Sequence, residues 1–210
     1  MVECNKYIDE IKNFKKLFLK NTFFSASQQL ITIVTTFLLL PYMIWRIGAE
    51  NYGFWLILRI FSIEGCLSIA EMGFQGSLIR YLTKFYIEKN IEKFKKLYFS
   101  GIILFSVIGL LLSISVLLFD KYLFLNLFSI PITHAVEMQI GLAIYALSLL
   151  FQFPALVLKA YYISLQDFFK LKLWETMNIL LFALFIFFTL CFTKSILTIV
   201  IIETMIRFIL

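Results

Sequence analysis

Long apolar runs separated by short basic loops constrain this chain more than any other feature. The hydrocarbon core of a bilayer is about 30 Å thick, and a helix rising about 1.5 Å per residue crosses it in about 20 apolar residues. Six runs approach that length: Phe23 to Trp45, Tyr52 to Phe74, Gly101 to Phe119, Gln139 to Leu158, Leu173 to Phe192 and Ser195 to Leu210. The second is interrupted by Arg59, Glu64 and Glu71, and the fourth carries Pro154, a candidate kink. Together they predict an all-α, polytopic transmembrane bundle of six spans over residues 21–210, preceded by a cytoplasmic segment, 1–20.

Composition argues against the soluble alternative. Of 210 residues, 61% are hydrophobic and 15% charged, where a soluble domain carries roughly 25% charge. A water-soluble core cannot hide so large an apolar share. The first twenty residues contain five lysines and no compact apolar stretch, which does not read as a removable signal peptide. Cys4, Cys66 and Cys191 are odd in number and far apart, so they suggest neither a disulfide framework nor a metal-ligand spacing.

Loop charge sets the expected orientation. Lys6, Lys12, Lys15, Lys16, Lys20, Arg80, Lys84, Lys89, Lys93, Lys95, Lys96, Lys159, Lys170 and Lys172 fall on one side, fourteen against Arg46, Lys121 and Lys194 on the other. The N-terminus is therefore expected in the cytoplasm. The net charge of +6 is then explained by the membrane surface, with membrane lipids as partners and no nucleic acid. Between the second and third runs, Leu78 to Tyr98 places apolar residues at helical spacing among lysines. This reads either as an amphipathic helix in the headgroup layer or as a solvated basic loop containing a short helix.

The first run has one polar face. At about 100° per residue, Asn21, Thr22, Ser25, Gln28, Gln29, Thr32, Thr35 and Thr36 share an arc of about 140°. Such a stripe either fastens the helix to its neighbours through hydrogen bonds, worth about 0.6–2 kcal/mol each, or walls a water-accessible cavity. Glu64 and Glu71 lie seven residues apart, within about 20° of each other around the helix, so they face the same way. A charge at mid-bilayer costs at least about 2.5 kcal/mol, which predicts that both acids point inward. Arg59 is rotated by about 140° from Glu64 and reads either as an interior group or as a residue snorkelling to the interface. Glu203 and Arg207, four apart with the acid first, have the spacing of an intrahelical ion pair.

No catalytic chemistry is evident. The single histidine, His134, is placed in an external loop beside Pro131 with Glu137 as its one close acidic neighbour, too few ligands for a metal. No glycine-rich phosphate loop is present, and no cofactor is implied.

The run Leu40-Pro41-Tyr42-Met43-Ile44-Trp45-Arg46-Ile47-Gly48-Ala49-Glu50-Asn51-Tyr52-Gly53, then Ile69-Ala70-Glu71-Met72-Gly73-Phe74 and Leu78-Ile79-Arg80-Tyr81, resembles the N-terminal part of bacterial polysaccharide flippases. These are the O-antigen and capsule transporters of the multidrug/oligosaccharidyl-lipid/polysaccharide exporter superfamily. Glu71 stands where that family more often has an aspartate. The motifs span about a third of the chain; the remainder agrees in the order of spans and in the basic loop.

The resemblance implies one six-helix lobe of a two-lobed exporter in the bacterial inner membrane. It is expected to be a truncated or split half, inactive unless paired with a second transporter half. The implied cargo is an undecaprenyl-diphosphate-linked oligosaccharide for lipopolysaccharide or capsule synthesis. On that reading Ser25, Gln28, Gln29, Thr32 and Thr36 offer hydrogen bonds to sugars. Arg46, Arg59 and Arg80 attract the diphosphate, and Glu64 and Glu71 couple to protons or sodium. The competing expectations are a multidrug and toxin extrusion antiporter of the same superfamily, a membrane-embedded glycan ligase or acyltransferase, and an inactive membrane remnant.

Overall fold

The computed structural model describes residues 2–62, 65, 69, 73–119, 132–193 and 195–209. Seven helices form them: α1 Val2–Ile47, α2 Ala49–Ile60, α3 Phe74–Ile87, α4 Ile91–Leu118, α5 Ile132–Ser164, α6 Phe168–Phe192 and α7 Ile196–Ile209. Four contain segments long and apolar enough to cross a membrane: Asn21–Ile47, Ile91–Leu118, His134–Ser164 and Phe168–Phe192. Phe37 and Phe192, at 80% and 86% exposure, typify outer surfaces that suit lipid and not water. The chain is an all-helical membrane bundle.

Local chemistry explains the helix boundaries. Gly48 takes φ +87°, a conformation open to glycine, and separates α1 from α2. Asn90 and Asp167 accept from the backbone N–H groups of Lys93 and Lys170 at 3.1 and 3.4 Å, capping α4 and α6. Pro41 and Pro154 both lie inside continuous helices.

The central element is α5. In its apolar window 44% of residues are buried, against 11% in α1 and α6. One core joins Met43 and Ile47 of α1 to Trp55 and Leu58 of α2, Leu142 and Tyr145 of α5, Ile186 and Leu190 of α6, and Ile199 and Val200 of α7. A second joins Leu78 and Leu82 of α3 to Phe105 of α4 and Leu149, Phe153 and Val157 of α5. Gly109 of α4 permits a close approach to α5, since a Cβ there would lie 2.9 Å from the Leu149 carbonyl oxygen and 3.0 Å from Phe153 Cβ.

Contacts along the helices give their directions. Phe24 meets Phe169, Tyr42 stacks on Phe187, and Arg46 reaches Leu190 and Cys191, so α1 and α6 run parallel at a nearly constant offset. Phe94 against Tyr161 and Gly109 against Leu149 make α4 and α5 antiparallel. Gly141 near Val200, Tyr145 with Glu203 and Phe151 with Phe208 make α5 and α7 parallel.

Among the described residues four candidate spans are found, and not the six expected. The run from Tyr52 to Phe74 is not one helix: α2 ends at Ile60 and α3 begins at Phe74. Phe54 packs on His134 and Leu58 approaches Gly141, while Gln75 donates to the Leu156 carbonyl. The two short helices thus follow α5 in succession. The last run forms α7, whose 14 described residues rise about 21 Å.

The basic segment is helical on both sides of a turn. It folds as α3, a turn at 88–90 and the first turns of α4; Leu78 and Leu82 pack on the bundle, whereas Ile87 and Ile91 stay exposed. Leu82 is fully buried, and Phe94 and Tyr98 meet Tyr161 edge-on. His134 lies in the first turn of α5, its ring beside Phe54, and not in a loop. Residues 2–20 continue into the apolar part of α1 as one helix.

Candidate functional site: a polar cleft beside α1

Four members of the polar stripe, Gln28, Thr32, Thr35 and Thr36, open onto a cleft of about 510 Å³ between α1, α2, α6 and α7. Their spacing of three and four residues keeps them on one side of α1. Thr32 returns its hydroxyl to the Gln28 carbonyl at 2.9 Å, and the Gln28 amide lies 3.5 Å from the Thr32 hydroxyl. Among the described residues none of the four hydrogen-bonds to another helix. These four side chains therefore line the cleft.

The opposite wall carries charge. Glu203 of α7, 3% exposed, accepts from Trp55 Nε1 at 3.2 Å and from the Tyr145 hydroxyl. Its other oxygen lies 2.6 Å from Arg207 Nη2 and 3.3 Å from Arg59 Nε. The Arg59 guanidinium also sits 4.9 Å from the Trp55 ring centroid, a cation–π distance. Glu203 thus joins α2, α5 and α7, and a buried carboxylate held by two guanidiniums and two neutral donors has its solvation replaced.

A second ionic group lies towards the start of α6. Glu175 Oε1 is 2.9 Å from Lys159 Nζ of α5, and Oε2 is 2.6 Å from Lys172 Nζ. Lys159, Glu175 and Asn178 line the cleft together with Gln28. The remaining wall is apolar, built from Leu39, Leu40, Met43, Ile179 and Phe182. Such a surface supplies hydrogen bonds to hydroxyl-rich groups and cations for acidic ones.

The sequence-derived site is only partly assembled. Gln28, Thr32, Thr36 and Arg59 line the cleft; Ser25 and Gln29 do not. Gln29 is exposed, because one residue turns a helix by about 100° from Gln28. Arg46 points to the other end of the bundle, donating to the carbonyls of Leu190 and Cys191 at 2.8 and 2.7 Å. Those belong to the last turn of α6, whose carbonyls lack helical partners. Arg46 is therefore a cap. Arg80 is exposed on α3, directed away from the core by the burial of Leu78 and Leu82. Glu64 and Glu71 lie outside the described residues.

Sequence reasoning missed the Glu203 hub and the Lys159–Glu175–Lys172 group. One signal was present: Trp55 and Arg59, like Glu203 and Arg207, are four residues apart and share a helix face. Among the described residues no group of three potential metal ligands occurs. Compared with protein-family models, curated proteins and solved structures, the chain matches none.

Proposed function

We propose that the chain is a membrane transporter of the polysaccharide flippase kind, moving a lipid-linked oligosaccharide across the bacterial inner membrane as one lobe of a two-lobed exporter. The observation that carries the reading is that Gln28, Thr32, Thr35 and Thr36, in the middle of an apolar helix, line an open cleft. A sugar headgroup loses its hydration in hydrocarbon, and a wall of hydroxyls and amides replaces those hydrogen bonds. Arg59, beside the same cleft, attracts the acidic linkage. The apolar tail stays in lipid.

Ion coupling is assigned in this proposal to Glu64 and Glu71. Arg46 and Arg80 have no place in it, since neither lines the cleft. The two acids that do, Glu175 and Glu203, each already hold two cations, an arrangement less suited to an antiporter's cationic drug.

The test is leaflet exchange in sealed vesicles. Vesicles containing the chain, with two copies as its two lobes, are expected to transfer a fluorescent lipid-linked oligosaccharide to the quencher-accessible leaflet faster than empty vesicles. Uptake of a lipophilic cation in place of glycan transfer supports the antiporter. Transfer of neither contradicts transport by this chain.

A further inference from the structure

We propose that Lys159, Lys172 and Glu175 form a docking site for a phosphate-class anion at one end of the cleft, with Glu175 as the internal group that the anion displaces. Glu175 sets its two oxygens against two ammonium groups, at 2.9 and 2.6 Å. A phosphate presents its oxygens in the same way. Lys159 and Glu175 line the cleft with side chains 45% and 25% exposed, so an ion arriving there reaches them directly, and Lys172, 23% exposed, is paired with the same carboxylate. One carboxylate leaves a positive surplus on two lysines, and a dianion neutralises both.

The surroundings fit the same ligand. Lys159 belongs to α5 and Glu175 to α6, so exchanging the carboxylate for a phosphate breaks no helix. The Gln28 and Asn178 amides line the same cleft as Lys159 and Glu175 and supply further N–H donors. The site extends the transport reading by naming where the anionic head of the cargo docks, and rests on that reading for its physiological ligand.

Calorimetry on the full chain in phosphatidylcholine nanodiscs, titrated with inorganic pyrophosphate, tests the site directly. Saturable binding is expected, weakened about tenfold by Lys159→Gln or by Lys172→Gln, the effect of losing one charged hydrogen bond. Glu175→Gln is expected to tighten binding by removing the competitor. Its retained fold, checked by circular dichroism, keeps the test decisive if a lysine variant misfolds. A second arm counts phosphatidic acid retained by the protein in native mass spectrometry. Pyrophosphate binding supports a soluble or exposed phosphate as ligand, and retention of phosphatidic acid alone supports a lipid headgroup. No binding in either arm, or Glu175→Gln binding no tighter than the unmodified chain, overturns the site. Loss of leaflet transfer with this binding intact contradicts the transport reading and leaves the site standing.

Discussion

Arg59 and Glu203, 144 residues apart in sequence, meet at 3.3 Å and tie the short helix α2 to α7 beside the cleft. The same carboxylate holds Arg207 and accepts from Trp55 and Tyr145. An acid in this position organises the wall opposite the polar stripe.

Removing that acid takes a shared partner from two guanidiniums. Glu203→Ala is expected to destabilise the bundle by about 3 kcal/mol, the low end for breaking a buried pair, because the Arg59 side chain is 35% exposed. Thermal unfolding in detergent checks this. Adding Arg59→Leu to the Glu203→Ala chain is expected to recover part of the loss.

The close approach of α4 and α5 depends on Gly109. Gly109→Val places atoms against the Leu149 carbonyl and Phe153 and is expected to cost about 1–3 kcal/mol by overpacking. Gly76→Ala, in α3 where a Cβ meets nothing within 4 Å, is the matched control and is expected to leave stability unchanged or raise it by up to about 1 kcal/mol, the helix-propensity gain of alanine over glycine.

Arg46 is expected to act on stability and not on cargo. Arg46→Leu removes two charged hydrogen bonds to the end of α6 and is expected to cost about 1.5–3 kcal/mol. Leaflet transfer per folded molecule stays unchanged. A transfer defect without a change in melting temperature contradicts this assignment.

The paired change Thr32→Val and Thr36→Val removes two hydroxyls from the cleft wall while preserving shape. Transfer of a lipid-linked oligosaccharide is expected to fall several-fold, at about 0.5–1.5 kcal/mol per lost hydrogen bond, with little change in melting temperature. Equal transfer by the variant and the unmodified chain contradicts a role for these hydroxyls.

The long apolar helices and the polar face of α1 were legible because both follow from hydropathy and the helical period. The interruption after Ile60 was not, since apolar residues such as Phe61, Ile63 and Leu67 continue beyond it in the sequence. Arg46 misled because charge at a span end suits a ligand as well as a helix cap; only the position of α6, more than 140 residues away in sequence, separates the two. Gln29 followed Gln28 in the sequence but not around the helix. Glu203 was paired with Arg207 from local spacing, while Trp55, Arg59 and Tyr145 came to it through tertiary packing that no local pattern records.

Accessibility of α1 to a water-soluble reagent tests the central claim most directly. Single cysteines at Gln28, Thr32 and Thr36, in a chain with Cys4, Cys66 and Cys191 replaced by serine, are treated in vesicles with a charged thiol reagent. Labelling at all three, with Phe37 and Leu38 on the outer face protected by lipid, is the predicted result. Protection at Gln28, Thr32 and Thr36 equal to that at Phe37 contradicts a water-filled cleft and leaves a bundle with no path for a polar cargo.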